Sequence, residues 1–234
     1  MKFPRTAVIL SGGEGVRLRP LTNDIPKGLV RVADKPLLQW VVEWLRANKV
    51  SNLVIGVAYL KEKIMAHFGN GKRFGVDISY SAHTVEGGTG EGFRLAISRF
   101  VSDDTFFALN GDQITDLRLG RMFRTHVEND VLATIAVVHP RLPFGVVMTD
   151  KSDYCTHFTE KPLLRDTLCS SGIYLFNSSI LDSIPMRGDI EKSVFPRLAK
   201  KRRLRAHRHT GTFLTVNSIR ELEEADEELR RVRP

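Results

Sequence analysis

The sequence contains no apolar stretch long enough to cross a membrane. A spanning helix needs roughly 20 consecutive apolar residues, whereas the apolar run near the start of the chain, TAVIL, ends at once in a glycine-rich segment. The opening sequence MKFPRTAVILSGG also lacks the longer apolar region and the small-residue cleavage site of a secretory signal. These absences argue against a membrane-spanning protein, and we expect a cytoplasmic protein with no membrane partner.

Cysteine is nearly absent from the chain. Cys155 and Cys169 are too few for a disulfide framework and lack the clustered spacing of a zinc site, which fits a reducing compartment. His207 and His209 lie one residue apart, but the sequence offers no further ligands beside them, so we interpret them as hydrogen-bonded or solvated side chains. No Ser-His-Asp or Cys-His pattern indicates a protein nucleophile.

Acidic residues are the minority charge, with 27 Asp and Glu against 35 Lys and Arg and a net charge of +8. Much of the excess lies in RLAKKRRLRAHR, residues 197–208, whereas the last helical pattern, ELEEADEELRR, is acidic. A charge run without a motif is usually solvated surface. We therefore interpret residues 197–208 as a solvated face or an edge strand beside that acidic helix, and we do not expect nucleic acid as a partner. The basic excess also suits small anionic substrates such as nucleotides and sugar phosphates.

The apolar residues predict an α/β fold. Short apolar runs typical of strands alternate with stretches of helical periodicity, a pattern that indicates a mixed, mostly parallel sheet flanked by helices. Predicted strands cover residues 6–10, 52–58, 76–81, 105–110, 131–138, 145–149, 156–160, 172–176, 204–207 and 212–216. Predicted helices start near residues 36 and 218 and cover 61–68, 91–100, 117–127 and 190–200.

The length and composition predict a single domain. The chain has 234 residues, of which 42% are hydrophobic, and no repeat or low-complexity linker divides it. After about residue 138 the predicted strands become shorter and are separated by turns. We therefore expect one domain, residues 1–234, with a first lobe over about 1–138 and a second or lid lobe over about 139–234.

The first chemical signal is the segment SGGEGVRLRPLTNDIPKGLVRV, which follows the first predicted strand. Gly12 and Gly13 allow a tight turn that brings backbone N–H groups close to phosphate oxygens. The segment is neither a Walker loop nor a dinucleotide fingerprint, because its spacing is G-G-x-G-x-R. Arg17 and Lys27 add two cations suited to the charge that develops when a triphosphate is attacked at its α-phosphorus.

The second signal is FFALNGD, in which Asp112 ends a predicted buried strand. Ligands bind in open α/β sheets at the carboxyl ends of the strands, and Mg²⁺ prefers a few carboxylate oxygens together with substrate phosphates. We therefore predict that Asp112 is a metal ligand.

These segments resemble a known enzyme family. The patterns L-x-G-G-x-G-x-R-L-x-P-L-T, P-K and K-P-L are similar to the signature of the sugar-1-phosphate nucleotidyltransferases. The resemblance implies a Rossmann-like nucleotide-diphospho-sugar transferase fold, a Mg²⁺ cofactor, and the conversion of an NTP and a sugar 1-phosphate to an NDP-sugar and pyrophosphate. It implies Arg17, Lys27 and Asp112 as catalytic residues. It also places Leu10, Gly12 and Gly13 against the nucleotide. For a single nucleotidyltransferase domain it implies a nucleotide-binding lobe over about 1–138 and a sugar-binding or lid lobe over about 139–234.

Three further motifs carry the resemblance along the chain. GGTGEGFRLAI implies nucleotide contacts from Gly88 and Thr89, although Glu91 stands where the family commonly has a small residue. PFGVV, HFTEKP and SSGIYLF imply a sugar-phosphate site. The residues implied there are Gly145, Glu160, Lys161 and Gly172.

The last motif departs from the common pattern. Many relatives have W-x-D-x-G-T with the aspartate as second metal ligand, and the aligned residue here is Thr215 in FLTVNS. Some branches place the ligand two positions later, and the carbonyl oxygen of Asn217 is acceptable to Mg²⁺. We predict Asn217 as the second metal ligand, while an ordinary helix N-cap remains the alternative.

The resemblance leaves the substrates and the assembly open. IEKSVFPRLAK is similar to a segment of guanylyltransferases that act on mannose or heptose 1-phosphate, which favours GTP with one of these sugars. The alternatives are a thymidylyl-, cytidylyl- or uridylyltransferase for glucose 1-phosphate and a non-catalytic regulatory subunit that binds nucleotide sugars. A homo-oligomer also stays open.

Overall fold

The computed structural model describes residues 1–232. The strands are β1 Thr6–Leu10, β2 Arg31–Val32, β3 Lys35–Pro36, β4 Asn52–Val57, β5 Asp77–Ala82, β6 Thr105–Asn110, β7 Gln113–Thr115, β8 Ala133–Val138, β9 Val146–Thr149, β10 Cys155–Thr159, β11 Cys169–Asn177, β12 Leu204–Arg208 and β13 Phe213–Thr215. The α-helices are α1 Leu37–Ala47, α2 Lys61–Phe68, α3 Gly88–Phe100, α4 Leu119–Val127, α5 Ile190–Lys200 and α6 Ile219–Val232.

Seven of these strands form the central sheet, in the order β12-β8-β11-β6-β1-β4-β5. Neighbouring strands are parallel except at β11, which runs antiparallel to both β6 and β8. The predicted mixed, mostly parallel sheet is therefore confirmed. Short two-stranded pairs, β9 with β10, β7 with β13 and β2 with β3, lie outside it.

The strands are apolar on both sides because helices cover both faces of the sheet. In β1, Val8 and Ile9 point to opposite faces, and each belongs to a separate buried cluster. Helices α1, α2 and α4 pack on the Ile9 side, while α3 and α5 pack on the Val8 side. Such a doubly covered sheet leaves its strand ends as the natural place for a ligand.

The predicted helices and strands are present with differences at their boundaries, and the structure adds the short strands β2, β3 and β7, which were not predicted. Helix α3 was predicted from residue 91 but begins at Gly88, because its first turn is held from outside: the N–H of Gly90 donates to the carbonyl of Gly188 at 2.7 Å. Strand β11 covers nine residues rather than the five predicted, since it pairs with neighbours on both sides. Helix α4 and strand β8 each begin two residues later than predicted.

The second half of the chain contributes to the same central sheet. After the β9–β10 hairpin, the chain returns to form β11 in the middle of the sheet and β12 at its edge. The predicted boundary near residue 138 thus falls between β8 and β9 without ending the sheet. A distinct sugar-binding lobe over residues 139–234 stays a prediction, and Arg233 and Pro234 lie outside the described residues.

The basic run forms the end of α5, a turn and the edge strand β12. This agrees with the predicted edge strand. The acidic helix α6, however, packs on β2 and β13, where Ala225 joins a small cluster with Val32 and Val216. Over residues 1–232, no helix is both long enough and apolar enough to cross a membrane.

Candidate functional site

A cavity of about 260 Å³ opens at the carboxyl ends of β1 and β6. Seven of the predicted residues line it: Leu10, Gly12, Gly13, Lys27, Gly88, Thr89 and Asp112. Seven others that the sequence did not single out also line it: Ser11, Gly28, His83, Val85, Asn110, Gly111 and Asp189. The glycine-rich segment, the end of β6 and the start of α3 therefore meet at one place, although they are far apart in the sequence.

The ammonium group of Lys27 lies between two side-chain oxygens at one side of this cavity. The Nζ of Lys27 donates to Asp112 Oδ2 and to Asn217 Oδ1, at 2.7 Å in both cases. Lys27 begins a short 3₁₀ turn after Pro26, Asp112 follows β6 within two residues, and Asn217 follows β13. The side chains of Lys27 and Asp112 are only 18% and 26% exposed, so the ion pair is partly shielded from water.

The donor set fits a magnesium ion. The Asp112 carboxylate and the Asn217 carbonyl already converge on one positive charge, the Lys27 ammonium. Both are hard oxygen ligands, and Mg²⁺ is commonly held by one or two carboxylates while substrate phosphates complete its coordination. The part of the chain that the structure describes offers no group of three or more His, Cys, Asp or Glu for a metal. A metal held by these two oxygens would need further ligands, which substrate phosphates can supply.

Glu221, in the first turn of α6, holds the neighbouring segment. Its Oε2 accepts hydrogen bonds from the backbone N–H and the Nδ2 of Asn217, at 2.9 and 3.2 Å. The Thr215 hydroxyl donates to the same oxygen at 2.9 Å. Thr215, the position aligned with the common family aspartate, is thus turned to Glu221, while the Oδ1 of Asn217 faces Lys27.

The glycine-rich segment passes close to His83. A Cβ on residue 12 would lie 2.5 Å from His83 Nε2, so any larger residue here would have to displace the His83 ring. His83 is half-buried, and burial lowers the pKa of its imidazole below the ordinary value. Its Nδ1 is enclosed and has no hydrogen-bond partner within residues 1–232. His83 follows β5 without any recognisable motif, which is why the sequence did not reveal it.

Thr89 links the beginnings of α3 and α5. Its hydroxyl donates to Glu191 Oε2 at 2.6 Å and accepts from the backbone N–H of Ile190 at 3.0 Å. Tyr174 donates to the other oxygen of Glu191 at 3.3 Å. Because the Thr89 hydroxyl is already engaged, the backbone of this turn is the part left to meet a ligand. Neighbouring Gly88 has φ of +69° and contacts the backbone of Gly188, which requires glycine there.

Glu91, the departure from the family pattern, lies outside the cavity lining. Its Oε2 accepts from the backbone N–H and the hydroxyl of Thr84, at 2.9 and 2.6 Å. These hydrogen bonds hold the pKa of the Glu91 carboxyl below its usual value. The residue therefore fastens the loop after β5 to α3.

Arg17 is not among the cavity residues. It is exposed in the 3₁₀ turn Val16–Leu18 and makes no ion pair with any residue in 1–232. Its neighbour Arg19, by contrast, is paired with Glu14 at 3.0 Å. The structure thus leaves the Arg17 guanidinium available, but it does not bring Arg17 together with Lys27 and Asp112.

The predicted sugar-phosphate residues lie in two places. Gly145 lies against the Phe158 ring and the Glu160 carboxylate on the β9–β10 hairpin. Lys161 follows directly, and its carbonyl accepts from Arg141 Nη1 at 3.0 Å. These residues do not line the cavity.

Gly172, the fourth predicted sugar-phosphate residue, lies in the central sheet. It is next to the side chains of Asn110, which lines the cavity, and Gln113. Gly172 is therefore adjacent to the cavity, whereas the other three are on the hairpin beside it.

Comparison with known sequences finds a family profile and several relatives to which this chain is similar. Residues 6–212 match the sequence profile of the family described as Nucleotidyl transferase. A UTP–glucose-1-phosphate uridylyltransferase from Synechocystis sp. is 34% identical over 214 residues, covering 82% of this chain and 54% of that protein. A mannose-1-phosphate guanyltransferase from Yarrowia lipolytica is 36% identical over 219 residues, covering 89% of this chain and 60% of that protein. The chain thus spans little more than half the length of these relatives.

Comparison with solved structures agrees on the fold. HddC from Yersinia pseudotuberculosis superposes with a TM-score of 0.75 at 21% identity, covering 96% of this chain and 99% of that one. A second structure of HddC, complexed with GMP-PN, gives the same values. At this identity the likeness concerns the fold, and it confirms the predicted nucleotide-diphospho-sugar transferase fold.

Proposed function

The chain belongs to the nucleotidyl transferase family, and from that premise we propose that it transfers a nucleotidyl group from an NTP to a sugar 1-phosphate. A phosphate oxygen of the sugar attacks the α-phosphorus of the NTP, and the bond from that phosphorus to the oxygen bridging to the β-phosphate breaks. The products are an NDP-sugar and pyrophosphate. No protein nucleophile is needed, because the attacking phosphate is already anionic.

The observation that carries this proposal is the convergence of Lys27, Asp112 and Asn217 beside the glycine-rich segment. An ammonium, a carboxylate and an amide oxygen at a cavity with several glycines in its lining suit a triphosphate with its counter-cation. The fixed charges would be in place before the reaction begins, so little reorganisation would be required when charge develops on the phosphates.

The individual roles follow from position. The backbone at Gly12 and Gly13 would hold phosphate oxygens, and Leu10, Gly88 and Thr89 would bound the nucleotide. Lys27 would offset charge on the α-phosphate, and Arg17 would meet the departing pyrophosphate after its exposed turn closes over the cavity. Asp112 and Asn217 would hold Mg²⁺, which when bound supplies charge neutralisation on the phosphate oxygens.

The sugar phosphate would enter from the side of the β9–β10 hairpin. Glu160 accepts hydrogen bonds from sugar hydroxyls, Lys161 pairs with the sugar phosphate, and Gly145 and Gly172 leave room for the ring. Because Gly172 adjoins Asn110 at the cavity, whereas the other three lie on the hairpin, closure of the hairpin toward the cavity would complete this half of the site.

We favour GTP with mannose or heptose 1-phosphate. The segment IEKSVFPRLAK resembles guanylyltransferases, the Yarrowia relative is named for mannose 1-phosphate, and HddC was solved with GMP-PN. The Synechocystis relative is named for UTP and glucose 1-phosphate, so thymidylyl, cytidylyl and uridylyl transfer to glucose 1-phosphate is the alternative.

The test is pyrophosphate release in the presence of Mg²⁺. A grid of common NTPs and dNTPs is assayed against mannose, glucose, N-acetylglucosamine, galactose and heptose 1-phosphates. One strong pair would identify both substrates, and EDTA should abolish the signal. Tight nucleotide-sugar binding with no turnover for any pair would instead favour a regulatory subunit.

A further inference from the structure

We propose that Glu221 is a positioning residue that orients the Asn217 amide, so that Asn217 and Glu221 act as one unit in the cation site. This inference rests on the proposed function, because it concerns the oxygen that Asn217 presents to a cation there. Glu221 does not itself contact Lys27 or Asp112.

The two ends of the Asn217 amide have different partners. The Nδ2 of Asn217 donates to Glu221 Oε2 at 3.2 Å, and its Oδ1 accepts from Lys27 Nζ at 2.7 Å. A carboxylate only accepts hydrogen bonds, so Glu221 can bind the amine end of the amide and not its oxygen. Glu221 therefore selects the orientation in which the oxygen of Asn217 points to the cation.

The same contact explains why an amide suits position 217. The Glu221 carboxylate already takes hydrogen bonds from the Asn217 backbone and from Thr215. An aspartate at 217 would place a second carboxylate against it without a proton between them, which costs free energy. Asparagine offers a donor to Glu221 and an acceptor to the cation at once.

An ordinary capping role for Glu221 is the rival explanation. The sequence S-x-x-E, from Ser218 to Glu221, has the spacing of a capping box, and the N–H of Glu221 donates to the Ser218 hydroxyl at 3.2 Å. In a capping box the glutamate returns to the N-cap backbone, whereas here its side chain bonds Asn217 and Thr215. A capping role alone would affect stability and leave cation binding unchanged.

The experiment compares E221A and E221Q in the full chain. The dissociation constant of Mn²⁺ alone is measured from the loss of the free-ion electron paramagnetic resonance signal. Glutamine keeps an oxygen that accepts from Asn217, so we expect E221Q to stay within about threefold of the unchanged protein, whereas E221A should weaken Mn²⁺ binding about tenfold or more. Equal weakening in both variants would indicate a charge effect and overturn the proposal.

Two controls separate positioning from other effects. In the N217A background, E221A should change Mn²⁺ binding less than about twofold, because the residue it positions is gone. S218A should lower the melting temperature through the helix cap without changing Mn²⁺ affinity. A full effect of E221A that persists without Asn217 would also overturn the proposal.

The failure of this inference is distinguishable from failure of the proposed function. If the protein binds no Mn²⁺, or if D112N does not affect binding, the metal assignment of the proposed function is wrong. In that case the NMR signals of the Asn217 side-chain amide in a ¹⁵N-labelled sample still test the inference. We expect the two protons of this amide to give resolved signals and to be protected from exchange in the unchanged protein and in E221Q. In E221A this protection should be lost. An amide signal that E221A leaves unchanged would overturn the inference.

Discussion

Lys27 occupies the position that a metal ion would share, so its replacement should have two opposite effects. In Lys27→Met the Asp112 and Asn217 oxygens lose their ammonium, and we expect roughly tenfold tighter binding of Mn²⁺ alone because a competing positive charge is removed. Turnover should fall by about 10²-fold or more, since in the proposed function the same ammonium would stabilise phosphate charge. Mn²⁺ titration and pyrophosphate release measure the two effects.

Lys72→Met is the matched control for this variant. Lys72 also pairs with a carboxylate, that of Asp77, but the pair is exposed and neither residue lines the cavity. Both measurements should be unchanged in this control. If Lys27→Met left Mn²⁺ affinity unaltered, Lys27 and the metal would not share the position.

Arg17 and Arg19 offer a second comparison at the residue scale. Both are exposed and lie two positions apart, but only Arg19 has a carboxylate partner, Glu14. If Arg17 meets the triphosphate, Arg17→Ala should lower kcat/KM by about 10²-fold, whereas Arg19→Ala should stay within a few-fold. Similar kinetics for the two variants would remove Arg17 from the proposed mechanism.

Whether the sequence could reveal a site residue depends on how far along the chain its partners lie. Lys27 and Asp112 each belong to a local motif, so the sequence alone identified them. The contact between Lys27 and Asn217 joins residues 190 positions apart. The sequence predicted Asn217 as a metal ligand from a motif argument, but it did not predict this contact. His83 gains its importance from tertiary contacts, and no local pattern marks it. Glu221 bonds Asn217 and Thr215 only four and six positions away, and its capping-box spacing predicts a helix start rather than this role.

The junction of α3 and α5 is a feature of elements rather than of single residues. Thr89→Val keeps the shape of the side chain but removes the hydroxyl that bonds Glu191 and Ile190. We expect a loss of about 1–3 kcal/mol in the free energy of unfolding, because a partly buried carboxylate and N–H lose their partner. Urea denaturation measures this loss.

Ser98→Ala provides the control on the same helix. Ser98 is exposed and makes a single long hydrogen bond, 3.4 Å to the Leu95 carbonyl. Its loss should cost less than about 0.5 kcal/mol. Equal stability of Thr89→Val and the unchanged protein would mean that the Thr89 hydroxyl does not stabilise this junction.

Helices and strands could be predicted from the sequence where a single spacing of apolar residues extends over the whole element. Strand β1 and helices α2 and α5 have the predicted bounds because their apolar spacing is unbroken. The start of α3 was misplaced because its first turn is rich in glycine, which has low helix propensity. That turn forms through contacts with Gly188, a partner that local reasoning cannot supply.

The whole molecule should lose stability in mildly acidic solution. Burial lowers the pKa of His67, His83, His126 and His207 below the ordinary value of 6.5. Below that value the unfolded chain takes up protons that the folded chain does not, so stability falls as pH drops from about 6.5 toward the folded pKa values. Urea midpoints between pH 7.5 and 5.5 should therefore decrease.

A substitution of His126 tests this pH dependence of stability. It is buried, with Nδ1 bonded to the Thr134 hydroxyl at 2.9 Å and Nε2 to Asn177 Oδ1 at 3.3 Å. His126→Gln should lower stability at pH 7.5 and show a smaller further loss at pH 5.5, because one titrating group is removed. An equally steep pH dependence would show that His126 does not contribute.

The position of β11 also bears on the order in which the protein can be completed during synthesis. In the sheet β11 lies between β6 and β8, although it is translated after both. Until it leaves the ribosome, β6 and β8 each present an open edge, and such edges invite pairing with other chains. The nascent chain therefore carries two unpaired strand edges over the interval in which the β9–β10 hairpin is made, and a chaperone that covers strand edges would protect it then.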